Sequence, residues 1–127
     1  MQGNHLYEYA IIRVVPRVER EEFLNIGVIL YCPGQGFLQA KFELNELRLS
    51  AFAASLDLDE VSRYLQALEC ICRGRKEGGA IGSLPISSRF RWLTATRSTV
   101  IQSSKVHSGF CKDPSETLLK LFDQQVR

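Results

Sequence analysis

Three apolar segments follow one another in the first third of the chain, and the connections between them are too short to contain a helix. Residues 7–15, 23–31 and 37–42 are rich in β-branched and aromatic residues, which is typical of β-strands. The longer connection has seven residues. Parallel neighbours need a crossover of about a dozen residues or more. This spacing therefore predicts an antiparallel three-stranded meander.

The second segment, residues 23–31, is apolar almost without interruption. Such a run is typical of a strand that is buried on both faces, so it is expected at the centre of the sheet. Gly27 interrupts the run, which predicts a bulge or the close approach of another group. The same segment leaves a homodimer interface open as an alternative to a central position in a monomer.

Helical periodicity appears after the meander. Asp57 and Glu60 form a capping-box pattern, and Gly74 is placed to end the helix that they begin. Apolar residues recur between them at spacings of three and four, which marks one helical face: Leu58, Val61, Leu65, Leu68 and Cys72. A second helix is predicted from Asp113, which precedes Pro, Ser and Glu.

The remaining segments give weaker signals. Residues 43–56 are expected to be partly helical, 78–82 to be a flexible link, 87–93 to form a short helix or turn, and 97–102 to form a fourth strand. Together these elements predict one α+β domain over residues 1–127, with an antiparallel sheet of about four strands packed by two main helices.

The location of the protein is expected to be cytoplasmic. The N-terminus lacks the cationic start and apolar core of a signal peptide, and no apolar run approaches the length of a membrane span. The four cysteines are therefore expected to be reduced thiols. Cys70 and Cys72 do not form a zinc motif, because residues two apart on a helix point to different faces. The glycines at 78–82 lack the Walker spacing, so neither metal nor cofactor is predicted.

Charge divides the chain into two unlike halves. Residues 1–60 hold 5 Lys/Arg and 9 Asp/Glu, whereas residues 61–127 hold 11 and 5. Residues 89–107 contain no acid and many hydroxyl groups, a combination that suits a bound anion. The alternative is that these cations pair with the acidic first half. The predicted anion- or partner-binding residues are Arg89, Arg91, Arg97, Ser98, Thr99, Lys105 and His107.

Two blocks of sequence carry a resemblance. YEYAIIRVVPRVEREEFLNIGVILYC at residues 7–32 and RFRWLTATRSTVIQSSKVHSG at residues 89–109 resemble a small bacterial family known as domain of unknown function 3037. The family brings no established activity, cofactor or catalytic residue. The resemblance implies a cytoplasmic bacterial domain, often encoded beside proteins similar to the HipA toxin kinases, and hence a protein partner.

The leading hypothesis is a non-enzymatic interaction domain that binds a protein partner, such as a HipA-like kinase, through its basic, hydroxyl-rich face. One alternative is a domain that binds nucleic acid, a nucleotide or phosphate with the same residues. Another is an enzyme that acts on a phosphorylated small molecule, with His107 or Cys111 near the chemistry. No third group that would orient such a pair can be named, so no catalytic residue is predicted.

Overall fold

The computed structural model of the protein describes residues 4–74, 78–95, 97 and 99–127. Within these residues, five strands form one antiparallel sheet, in which β2 lies between β3 and β1. Both remaining strands pair with the other edge of β1. The strands are β1 (His5–Val14), β2 (Leu24–Cys32), β3 (Phe37–Phe42), β4 (Ile101–Ser103) and β5 (His107–Cys111). The predicted α+β class and the meander of β1, β2 and β3 are confirmed.

Five helices accompany the sheet in the described part of the chain: α1 (Glu46–Phe52), α2 (Leu58–Arg73), α3 (Gly79–Gly82), α4 (Ile86–Leu93) and α5 (Pro114–Gln125). Asp57 caps α2 as predicted, because its carboxylate accepts hydrogen bonds from the backbone N–H groups of Asp59 and Glu60. Gly74 ends the helix with a φ of 70°, a conformation that glycine adopts without strain. No helix in these residues is both long and apolar enough to cross a membrane.

Successive residues of β1 supply two separate cores, one on each face of the sheet. Ile12 and Val14 pack with α2 and α4, where Phe90 is fully buried. Ile11 faces the other way and packs in a cluster with Phe122 of α5. The sheet is therefore enclosed between α1, α2 and α4 on one face and α5 on the other. The main contacts of α5 with the sheet are made to β2 and β3.

Gly27 lies at a bulge, as its position in the strand predicted. The pairing of β1 with β2 shifts register between Ile12 and Arg13, which leaves Ile26 as the extra residue. A Cβ atom at Gly27 would lie only 2.7 Å from the carbonyl oxygen of Lys41 and from the Cβ atom of Phe42. The sequence therefore has glycine where β3 approaches the bulged strand most closely.

The prediction for the fourth strand is wrong in its position. Only the end of the segment 97–102 belongs to β4, and Arg97 and Thr99 precede the strand. The segment β5, which pairs with residues 5–9 of β1, was not predicted. Its sequence, HSGFC, has no apolar alternation and contains a glycine. The residues of β5 have low strand propensity, so this segment is extended because it pairs with β1.

A second bulge separates β4 from β5 along the same edge of β1. Ile12 pairs with Ser103 and Tyr9 with His107, so the outer strands contain one more residue than β1 over this interval. Ser104 occupies the bulge. Its backbone N–H donates to the carbonyl oxygen of Ile11 at 2.8 Å, and its Oγ accepts from the N–H of Ile11 at 2.8 Å. A buried side chain thus completes the hydrogen bonding of β1 where the ladder is interrupted.

The cysteines are free thiols. Cys72 is buried on the inner face of α2, whereas Cys70 is half-buried, as the two-residue spacing predicted. Burial raises the pKa of the Cys72 thiol to about 12, because the apolar surroundings disfavour the thiolate. A buried thiol of this kind has the role of a small apolar core residue.

We expect Ser104→Ala to lower the free energy of unfolding by about 1–3 kcal/mol, because the buried N–H of Ile11 would lose its acceptor. Urea denaturation followed by far-ultraviolet circular dichroism measures this. Ser108→Ala is the matched control: Ser108 is exposed on β5, so its loss should change stability by less than about 0.5 kcal/mol. Equal, small effects of both changes would contradict the role given to Ser104.

Candidate functional site

A pocket of about 250 Å³ opens between α2, α4 and β4, on the face of the sheet opposite α5. Its floor is formed by Ile12 of β1 and Ile29 of β2, and Leu68 and Ile71 of α2 form part of one wall. The lining is predominantly apolar. A concave apolar site with few polar groups is the usual form of a ligand or side-chain binding pocket.

Two exposed aromatic side chains stand at this pocket. Tyr64 of α2 is 43% exposed and Trp92 of α4 is 40% exposed. Ala67 of α2, one turn after Tyr64, also lines the pocket, and its small side chain is exposed. Large aromatic side chains that present both apolar area and a hydrogen-bonding group are enriched where proteins bind partners.

Arg97 supplies the cation of the pocket. Its guanidinium carbon lies 3.9 Å from the centroid of the Trp92 ring, and its Nη2 donates a hydrogen bond to the carbonyl oxygen of Trp92. Burial lowers the pKa of the Arg97 guanidinium from its ordinary value. None of the carboxylates in the described residues forms an ion pair with it. Arg97 is therefore a partly desolvated cation held by an aromatic ring at the wall of an apolar pocket.

Thr99 also lines the pocket, although both Thr99 and Arg97 precede β4. Its Oγ1 donates to the carbonyl oxygen of Ile101 at 2.6 Å, and its carbonyl oxygen accepts from Nε2 of Gln102 at 2.9 Å. These bonds fix the turn that leads from Thr99 into β4. Ser98, which was predicted to share the site, lies outside the described residues.

Arg89 donates hydrogen bonds to carbonyl groups at the end of α2. Its Nη1 donates to the carbonyl oxygens of Ile71 and Cys72 at 2.9 and 2.8 Å, and its Nε donates to that of Leu84 at 3.0 Å. The last carbonyl groups of a helix have no partner within the helix, and a cation there complements the helix dipole. The structure therefore gives Arg89 a capping role that joins α2 to α4.

Arg91 forms a bidentate ion pair with Glu8 of β1, with N–O distances of 2.8 and 2.9 Å. Hydrogen bonding to this carboxylate raises the pKa of Arg91. This ion pair agrees with the alternative interpretation of the charge pattern, in which cations of the second half of the chain pair with acids of the first half. This planar fork links α4 to β1.

Lys105 and His107 belong to a different region. His107 pairs with Tyr9 in the sheet, and their ring centroids are 5.3 Å apart. Tyr9 packs against the core on the α5 side, so His107 lies on the face opposite the pocket. Lys105 is exposed in the bulge between β4 and β5. The residues that the sequence grouped into one site are therefore separated. Arg97 and Thr99 line the pocket, whereas His107 lies on the opposite face of the sheet. Arg89 and Arg91 are engaged by the end of α2 and by Glu8.

The contribution of α2 to the pocket was missed from the sequence. Tyr64 and Ala67 lie on the side of α2 that its charged residues mark as solvated. The signal that could have indicated the pocket is Tyr64, an aromatic residue on the exposed side of α2. Among the described residues, no group of three or more His, Cys, Asp or Glu is arranged to hold a metal ion.

The comparison with protein families gives one match. The family model described as "Protein of unknown function (DUF3037)" matches residues 9–126, nearly the whole chain. The chain belongs to this family, which confirms the resemblance in the sequence. Searches of the curated proteins and of the solved structures find no match.

The capping role of Arg89 predicts a loss of stability. Arg89→Ala should lower the free energy of unfolding by about 2 kcal/mol, because carbonyl groups of α2 would lose a charged donor. Arg89→Lys should restore only part of this, since one ammonium group cannot reproduce the spread of the guanidinium donors.

Chemical denaturation of both variants measures the effect, with Arg73→Ala as the control. Arg73 is an exposed cation at the end of the same helix and pairs with Glu69 one turn away. Its removal should cost at most about 0.5 kcal/mol. If Arg89→Ala were no more destabilising than this control, the capping role would be contradicted.

Proposed function

We propose that this member of the DUF3037 family is a non-catalytic binding domain that recognises a protein partner. In this proposal an apolar side chain of the partner enters the pocket between α2, α4 and β4. An acidic or phosphorylated group beside that side chain pairs with Arg97. The observation that supports the proposal most is the position of a partly desolvated cation, stacked on Trp92, at the wall of an open apolar pocket.

The size of the pocket fits a single large side chain. A cavity of roughly 150 Å³ lined by aliphatic and aromatic groups is large enough to bind benzene. The pocket here, at about 250 Å³, accommodates a leucine, phenylalanine or tryptophan side chain. Burial of such a side chain contributes roughly 1.5–3 kcal/mol. Further affinity must come from contacts around the rim.

The rim has the composition of an interaction surface. Tyr64, Trp92 and Arg97 represent the three residue types that contribute most often to the energy of protein interfaces. A partner that covers the rim removes the remaining water from Arg97, which strengthens its attraction for a carboxylate or phosphate. Removal of this water also makes an unpaired guanidinium group costly. A partner without an acidic group at this position therefore binds less tightly, and acidic partners are favoured.

Two substitutions test the pocket without disturbing the core. Ala67→Phe places a large ring at the opening, and Arg97→Met removes the charge but keeps an apolar side chain. Gln66→Phe is the control for the first, because Gln66 is exposed on α2 and does not line the pocket. Lys120→Met is the control for the second, because Lys120 is an exposed cation on α5.

The measurement is affinity purification from the native host at low salt, followed by quantitative mass spectrometry of each variant. One stoichiometric protein should be captured by the wild type and both controls, and lost with both pocket variants. Arg97→Met should weaken the purified complex by about tenfold or more, since a charge-assisted hydrogen bond contributes ~1.5–3 kcal/mol. Retention of the partner by both pocket variants, or recovery of no partner at all, would refute the proposal.

A further inference from the structure

The face of the sheet opposite the pocket carries a row of three rings, at the margin of the core that α5 closes. Tyr7 and Tyr9 project from β1 on this side, with ring centroids 6.0 Å apart. His107 of β5 adds the third ring, 5.3 Å from Tyr9. His107 is exposed, and both tyrosines are half-buried. We name Tyr7, Tyr9 and His107 the ring face.

The backbone holds these rings in place. Tyr9 and His107 are directly paired across the sheet, as are Tyr7 and Gly109. A Cβ atom at Gly109 would lie 2.7 Å from the phenolic oxygen of Tyr7, so the absence of a side chain there lets the Tyr7 ring extend across β5. Rings mounted on adjacent, hydrogen-bonded strands keep a fixed spacing, which suits the recognition of successive planar groups.

Two cations lie near the ring face in the described residues. Lys105 and Lys112 are exposed at the two ends of β5. Two of the neighbouring carboxylates have contacts within the protein. Glu8 pairs with Arg91 on the opposite face of the sheet. Asp113 accepts a hydrogen bond from the N–H of Ser115 at the start of α5. A ligand that combines planar rings with negative charge therefore meets complementary groups here.

We propose that the ring face binds single-stranded nucleic acid, with bases stacked on Tyr7, Tyr9 and His107 and phosphates beside Lys105 and Lys112. Rings that project from an antiparallel sheet stack on unpaired bases irrespective of their sequence, and neighbouring cations follow the phosphate backbone. Bases in a duplex are stacked on each other and unavailable, so the site discriminates against duplexes. This second binding function is independent of the pocket.

Fluorescence anisotropy of labelled 12-nucleotide single strands, RNA and DNA, tests the inference. At low salt we expect binding of at least one of the two, and weaker binding of the duplex of the same sequence. Each phosphate that a lysine contacts should add roughly 0.7 to the log–log slope of affinity against salt. His107→Ala and Tyr9→Leu should each weaken binding by about tenfold, and Tyr9→Phe should retain it.

Phe110→Ala is the matched control. Phe110 is also an aromatic residue of β5 and is 71% exposed, but it pairs with Leu6 and lies on the other face of the sheet. Its removal should leave the affinity unchanged. Circular dichroism of each variant verifies that the fold is retained.

Three results would overturn the inference: no binding of any single strand, equal affinity for the duplex, or a loss with Phe110→Ala equal to that with His107→Ala. The pocket variant Ala67→Phe separates the two proposals. It should lose the protein partner and still bind nucleic acid, and a loss of nucleic-acid binding in this variant would also count against the ring face.

Discussion

The hydrogen bonding of β1 along both of its edges is the constraint on which the rest of the structure depends. One edge pairs continuously with β2, apart from the bulge at Ile26, next to Gly27. The other edge is shared by β4 and β5, and the buried hydroxyl of Ser104 completes the bonding between them. Because the side chains of β1 alternate between two cores, every element that pairs with this strand is positioned relative to both faces of the sheet.

The bulge at Ser104 also determines where the two candidate surfaces lie. Before it, β4 contributes Ile101 to the apolar pocket on the side of α2 and α4. After it, β5 directs His107 to the opposite side, beside Tyr9. One segment of chain thus supplies a wall of the pocket and a ring of the other face. The two surfaces are separated by the thickness of the sheet, which makes independent partners physically compatible.

The arginines show why a basic sequence does not define a basic site. Arg89 donates to carbonyl groups at the end of α2, and Arg91 is paired with Glu8. Both are satisfied by the protein itself, so a ligand would have to replace existing contacts. Arg97 differs because its partners among the described residues are a ring and one carbonyl group, which leave it able to pair with an incoming anion.

Sequence patterns predicted the features that depend on residues close to each other in the chain. The caps at Asp57 and Asp113, the end of α2 at Gly74 and the bulge at Gly27 follow from the residues themselves. The strand β5 could not be predicted, because its order comes from pairing with a segment about a hundred residues earlier.

The pocket escaped prediction for the same reason. Its floor, walls and cation come from β1, β2, α2, α4 and the segment before β4, which only the tertiary fold brings together. The aromatic residues gave a partial signal. Trp92 is visible in the sequence as an aromatic residue, but sequence alone placed neither Tyr64 beside it nor Arg97 over its ring.

The pocket is the surface that we propose binds a protein partner, and Trp92 provides a direct reporter of it. Trp92 is the single tryptophan of the chain, so its indole N–H gives one resolved nuclear magnetic resonance signal at the pocket. Titration of the purified partner into ¹⁵N-labelled protein should shift this signal together with the backbone amides of Tyr64 and Arg97. The amides of α5 should stay unchanged. Shifts confined to α5 or to β3, with the Trp92 signal unmoved, would contradict the account.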